Sequence, residues 1–138
     1  MNTFTEKEVA YLRSQRLARL ATADIRGRPH VVPVGFRLST DETALEVGGH
    51  NFAKSKKYRD IQANARVAIV IDDVASTEPW TPRGIEIRGT AELKDAGGEK
   101  FGPGRDAQWV RIVPERLISW GIEAPPFTEG TLRARTIA

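Results

Sequence analysis

Between Leu17 and Trp120 the chain is written in segments of strand length, and within them apolar and polar side chains alternate with a period of two. The plainest is Gly84–Leu93. Ile85, Ile87, Ala91 and Leu93 share one face, and Glu86, Arg88, Thr90 and Glu92 share the other. That is the pattern of a strand with one buried and one wet face. His30–Leu38 repeats it, with Val32, Val34, Phe36 and Leu38 opposed to Val31, Pro33, Gly35 and Arg37. Pro33 has no N–H to give to a ladder, which sends this strand to an edge or a bulge. Gly35 removes a side chain two residues later, so the same face lets something approach the backbone. Leu17–Asp24, Ala44–Val47, Arg66–Asp73 and Trp109–Trp120 supply four more strands, the last broken near Pro114.

Two helices accompany them. Thr5 and Glu8 form a capping box, with Phe4 and Val9 placed as a hydrophobic staple, and this helix is expected to run to about Gln15. Residues 54–65 read as a second helix with Tyr58, Ile61 and Ala65 on one stripe. Val74–Arg83 reads as a loop around Trp80, Lys94–Asp106 as a glycine-rich loop, and the tail after Gly121 as irregular. Six strands and two helices at this spacing describe a mainly β, α+β chain. The candidates are a small closed or partly closed antiparallel barrel with peripheral helices, or an open antiparallel sheet. A parallel doubly wound sheet does not fit, because helices do not alternate with strands.

Composition narrows the chemistry. At 138 residues the chain is expected to be one domain, 1–138, large enough to fold without staples. It has no Cys, which removes a thiol nucleophile and a Cys-containing zinc site, and its two histidines leave little for an all-His metal site. No metal is expected. No apolar run approaches the ~20 residues of a membrane helix, and the opening MNTFTEKEVA lacks the basic start and apolar core of a secretory signal. A cytoplasmic protein with no membrane partner is the resulting expectation. A net charge of +3 with a pI of about 9.5 suits a small anionic ligand and does not call for nucleic acid.

The densest charge feature lies at the start of the second helix, where Lys54, Lys56, Lys57, Arg59 and Arg66 face a single acid, Asp60. Cations at a helix N-terminus oppose the macrodipole and cost a few tenths to ~1 kcal/mol when exposed. The same arrangement becomes favourable once an anion arrives, because N–H groups, dipole and ammonium groups then converge on it. The run reads either as an anion dock or as a solvated basic face. Gly48-Gly49 just before it is either a plain turn or a place where backbone approaches a ligand. His50, beside the diglycine, is a candidate proton donor; His30 reads as a surface strand residue. Trp80, Trp109 and Trp120 read as core or interface residues before ring-stacking contacts.

The order of these pieces carries a resemblance. Gly27-Arg28-Pro29-His30-Val31-Val32-Pro33-Val34, then Leu45-Glu46-Val47-Gly48, then Ser55-Lys56-Lys57, then Asn64-Ala65-Arg66-Val67-Ala68 resembles the pyridoxamine phosphate oxidase-like family over roughly residues 5 to 93. Asn64-Ala65-Arg66-Val67 stands where the family has N-P-R-V. Pro114–Gly121 also resembles the ends of small family members.

The resemblance implies an FMN-binding type of split β-barrel, six-stranded and antiparallel with peripheral helices. It also implies a homodimer with a flavin-type cofactor at the interface. It places the cofactor phosphate at Ser55, Lys56 and Lys57, and the ring against Val32, Pro33 and Val34, with Gly48 near it. Asp72-Asp73, Pro79-Trp80, Pro82-Arg83-Gly84 and Arg88–Glu92 are similar to the small branch that uses the deazaflavin coenzyme F420. Lys54, Arg59 and Arg83 are then available to its acidic tail. The implied activity is hydride transfer between this deazaflavin and an unsaturated small organic substrate. The alternatives are an FMN-dependent reductase or oxidase of the same fold and a non-catalytic cofactor-binding protein. The resemblance does not extend to the longer C-terminal region with which true pyridoxamine phosphate oxidases grip their substrate, so pyridoxal phosphate synthesis is not expected.

Overall fold

The computed structural model describes residues 2–137. Helix α1 (Glu6–Ser14) starts from the expected capping box. Thr5 Oγ1 accepts from the Glu8 N–H at 3.1 Å, and Glu8 Oε1 accepts from the Thr5 N–H at 3.0 Å. Tyr11 and Leu12 are buried on its inner stripe.

The sheet contains β1 (Leu17–Ala23), β2 (Pro29–Gly35), β3 (Arg37–Leu38), β4 (Leu45–Val47), β5 (Arg66–Thr77), β6 (Trp80–Lys94), β7 (Trp109–Trp120) and β8 (Arg133–Thr136). The order is β2-β1-β5-β6-β7-β4-β3, with β8 also on β7, and each pairing is antiparallel. Two partners share one strand: β7 pairs with β4 through Val110–Ile112 and with β8 through Arg116–Ser119. The result is a mainly β curled antiparallel sheet with helices at its margins, the architecture of a split barrel. Leu20, Leu45, Ile69, Ile71, Ile85, Ile87, Ile112 and Leu117 are fully buried inside the curl. Each such side chain contributes roughly 1.5–3 kcal/mol by leaving water.

The alternating faces hold. Ile85, Ile87 and Ala91 are buried, and Val34 points inward while Pro33 and Gly35 are exposed. β2 is an edge strand, as Pro33 requires. The break near Pro114 is a bulge rather than an end: pairing slips between Arg88 and Gly89 while β7 runs on. A Cβ on Gly89 would fall 2.1 Å from the Val113 carbonyl oxygen, which explains a glycine there.

Five expectations are corrected. Among the described residues there are eight strands, not six. The segment His30–Leu38 divides at Phe36, because the chain leaves β1 and joins β4 across the split. The tail is not wholly irregular, since β8 adds to the edge of β7. Residues 74–83 are not a loop but the tip of the β5–β6 hairpin, turning at a cis Glu78–Pro79 bond. Its ladder extends past the core, so Val74 and Trp80 remain exposed and no burial pattern marks it. The second helix is shorter than expected. A 3₁₀ turn at Phe52–Lys54 leads to Ser55, the N-cap of α2 (Lys56–Ala63).

Candidate functional site

The basic run is positioned by Phe52. This ring is fully buried, and it packs edge-to-face on Tyr58 with centroids 5.7 Å apart. Asn51, at φ 52°, takes the left-handed turn that brings the chain from β4 into this anchor. Ser55 is held on both sides: its Oγ donates to the Phe52 carbonyl at 2.7 Å and accepts from the Tyr58 N–H at 3.3 Å.

The lysines then divide. Lys56 Nζ donates to both carboxylate oxygens of Asp60, at 2.9 and 3.2 Å. Asp60 is buried and also accepts from Thr22 Oγ1 at 2.8 Å, which ties α2 to β1. Burial pushes the Asp60 carboxyl up, but the bonds from Lys56 and Thr22 outweigh it and hold the group below the usual carboxylate range. The single acid of the run is therefore committed to Lys56. Lys57 is half-buried, its ammonium 5.5 Å above the Phe52 ring centroid, and burial lowers its pKa below that of an ordinary lysine. Among the described residues neither Lys57 nor the exposed Lys54 has a carboxylate within ion-pair distance. A partly desolvated, unpaired ammonium at a capped helix start is the donor set that a phosphate satisfies.

β2 lies nearby. Thr22 pairs in register with His30, so the residue that binds Asp60 also sets the start of β2 beside α2. One edge of β2 pairs with β1; among the described residues the other carries no strand, leaving that backbone margin open to a ligand. Gly48 follows β4 just before the turn into α2.

The other candidate residues sit elsewhere. His50 is exposed, with Nδ1 2.7 Å from the Gly104 carbonyl oxygen on the glycine-rich loop. His30 is half-buried rather than on the surface, and its Nδ1 has no hydrogen-bond partner among the described residues. Arg83 grips Asp73 through Nε at 2.8 Å and Nη2 at 3.0 Å, and lies 5.1 Å over the Tyr11 ring. Ala91, whose N–H bonds the Ala65 carbonyl just past α2, is eight residues further along β6, about 26 Å at strand rise. Arg83 is thus committed to Asp73 and stacked on Tyr11, well along β6 from the strand segment that meets the end of α2. Trp109 is a core residue whose Nε1 donates to the Ala96 carbonyl at 2.7 Å, whereas Trp80 is exposed at the hairpin tip.

One concavity was not foreseen. A cleft of about 390 Å³ opens where the end of α1, Gly35–Arg37, Gly48 and the 95–108 loop meet. Those segments are remote in sequence, so only Gly48 and the bared face at Gly35 hinted at it.

An edge strand and, at the start of a serine-capped helix, an ammonium with no carboxylate partner among the described residues are the site features of this split barrel. Residues 4–126 match the pyridoxamine 5'-phosphate oxidase family, and the chain belongs to it. It is similar to the 5a,11a-dehydrotetracycline/5a,11a-dehydrooxytetracycline reductase of Streptomyces rimosus, at 41% identity over 120 residues, covering 87% of this chain and 84% of that protein. Among solved structures it resembles a candidate pyridoxamine 5'-phosphate oxidase from Lactobacillus delbrueckii, with a TM-score of 0.65 and 26% identity over 85% of this chain and 94% of that one. It also resembles an FAD-binding protein from Mesorhizobium loti, with a TM-score of 0.62 and 22% identity over 84% of this chain and 93% of that one. No helix among the described residues is long and apolar enough to cross a membrane.

Proposed function

We propose that this protein is an oxidoreductase that holds the deazaflavin coenzyme F420 in a groove between two copies of the chain and reduces an unsaturated small organic substrate. The observation that carries the reading is Lys57: half-buried, without a carboxylate partner among the described residues, and placed at the start of a serine-capped helix. A relative that shares 41% identity and is named a reductase of dehydro-compounds supports the reaction class. FMN is the alternative cofactor, favoured by the family and by the FAD-binding neighbour of the same fold. The phosphate dock serves either.

When bound, the cofactor supplies hydride chemistry. The chain supplies position and charge. Lys57, the Ser55 hydroxyl and the first N–H groups of α2 bind the phosphate, with Lys54 adding charge at the rim. Lys56 contributes its field while remaining tied to Asp60, so its second role is to neutralise the buried carboxylate that bonds Thr22 on β1. The free edge of β2 at Val32, Pro33 and Val34 borders the ring, and the backbone at Gly48, whose missing side chain makes room for Phe101, lies at the margin of the groove. Arg83 is a further candidate for the acidic tail, and His50 is a candidate proton donor.

Titration of the full chain with F420 and with FMN, followed by tryptophan fluorescence, tests this. Lys57→Ala is expected to weaken binding of the preferred cofactor about 10- to 100-fold, the loss of one charge-assisted contact worth about 1.5–3 kcal/mol. Unchanged affinity in Lys57→Ala would remove the phosphate from this place, and a monomer by light scattering would remove the interfacial groove.

A further inference from the structure

We propose that the cleft at the end of β2 is the acceptor subsite and that it selects a planar, conjugated organic acid, ionised as a carboxylate or enolate. Its role as an acceptor subsite rests on the oxidoreductase reading; its preference for an anion rests on the cleft alone.

Three guanidinium groups line it, from Arg16, Arg37 and Arg105, together with the half-buried rings of Phe36 and Phe101, and no carboxylate is among its lining residues. Among the described residues, Arg16 and Arg105 have no ion-pair partner. Arg37 lies 3.6 Å from Glu46, but that carboxylate also serves Lys100 at 3.2 Å. Positive charge is therefore in excess inside a concave wall, where low-dielectric surroundings concentrate the field on an incoming anion. Guanidinium suits a planar anion because its fork matches two oxygens and its face stacks on a conjugated system.

The walls fit the same ligand. The Phe101 ring occupies the space beside Gly48: an added Cβ there would come 2.5 Å from its Cδ2. Arg37 sits over that ring at 5.7 Å. Aromatic faces beside a few aimed cations select flat, partly apolar molecules. The volume, about 390 Å³, is that of a site for one small molecule.

Position links the cleft to the cofactor. Gly35–Arg37 follow directly from Val34, within about 10 Å of extended chain. A ligand here abuts whatever lies along β2. The cofactor phosphate is accommodated at Ser55 and Lys57, beyond the turn that follows Gly48, which leaves these arginines for a different anion.

The test uses the full chain, with 2-naphthoate and its neutral counterpart 2-naphthamide as probes in calorimetry. Wild type is expected to bind the carboxylate at least about tenfold more tightly than the amide, as for a charge-assisted contact. Arg16→Gln/Arg105→Gln is expected to abolish that preference while leaving amide binding, F420 affinity and FMN affinity unchanged. Equal binding of the two probes by wild type overturns the proposal. So does a parallel loss of cofactor affinity in the double variant, which would assign the cleft to the cofactor. If the chain binds neither F420 nor FMN but still prefers naphthoate, the anion site stands and the function proposed above fails. If it binds cofactor without that preference, the reverse holds.

Discussion

Arg135→Met is expected to cost the fold about 3–5 kcal/mol, the penalty that follows removal of one partner from a buried ion pair. Glu8 is completely buried, and its Oε2 accepts from Arg135 Nη1 at 3.0 Å. Arg135 Nη2 also donates to the Thr3 carbonyl at 2.8 Å. One guanidinium thus closes both the start of α1 and the pairing of β8, a four-residue strand with β7 as its one neighbour among the described residues. Without it, the Glu8 carboxylate keeps the Thr5 N–H but loses its charged partner while remaining out of water. The double variant Glu8→Gln/Arg135→Met should recover part of the loss, since no ionised carboxylate is then stranded.

The pH dependence gives a second readout. Burial pushes the Glu8 carboxyl up, but the bonds from Arg135 and the Thr5 N–H outweigh it and leave the group below its usual value of 4.5. A folded pKa below the unfolded one contributes stability that is present above the unfolded value and lost as pH falls through the folded one. In Arg135→Met the desolvated carboxyl is instead expected to titrate above the ordinary range. The gap between wild type and variant in urea unfolding should therefore be full above the variant's raised Glu8 pKa, begin to narrow as pH falls through that value, and narrow further below about pH 4.5, the unfolded value, where the wild-type contribution is lost. A gap that does not narrow on acidification would show that packing, not the ion pair, carries the contact.

Residues of this kind mark the boundary of what the sequence discloses. The inward faces of β2 and β6 were readable at Val34, Ile85 and Ile87, because burial on one side of a strand writes a period of two into the chain. Pro33 disclosed an edge, and Thr5 with Glu8 disclosed a helix start, because each rule is local. β8 gave no such signal. Its inward residue is Arg135, whose partner lies 127 positions away, so the strand reads as a polar tail. The β5–β6 hairpin tip was hidden for a related reason: backbone pairing and the Asp73–Arg83 pair support it, not apolar burial. The basic run was visible as charge, yet not how it divides. That depends on Asp60 being reached by Lys56 and by Thr22, and the latter is contributed by a different element. The cleft could not be seen at all as a unit, since its cations come from three separate stretches of chain.

Phe52→Ala is expected to lose about 3–5 kcal/mol of stability and much of the cofactor affinity together, because one ring supports both. The side chain is fully buried, and its removal leaves a cavity beneath Tyr58 and beneath the Lys57 ammonium. Its carbonyl accepts the Ser55 N–H at 3.1 Å and the Ser55 hydroxyl at 2.7 Å, so a shift of this turn carries the N-cap with it. Phe52→Leu separates the two effects. An aliphatic replacement of similar bulk should cost under about 1.5 kcal/mol of packing. It has no π face, however, and a cation over an aromatic ring is worth roughly 0.5–2 kcal/mol when partly desolvated. Phe52→Leu should therefore unfold near the wild-type midpoint yet bind cofactor several-fold more weakly, as Lys57 loses the surface that holds it over the helix start. If Phe52→Leu binds as wild type while Lys57→Ala does not, the phosphate contact survives and the ring is only an anchor. If both bind as wild type, the start of α2 is not the dock, and the basic run reverts to the solvated face that its composition equally allows.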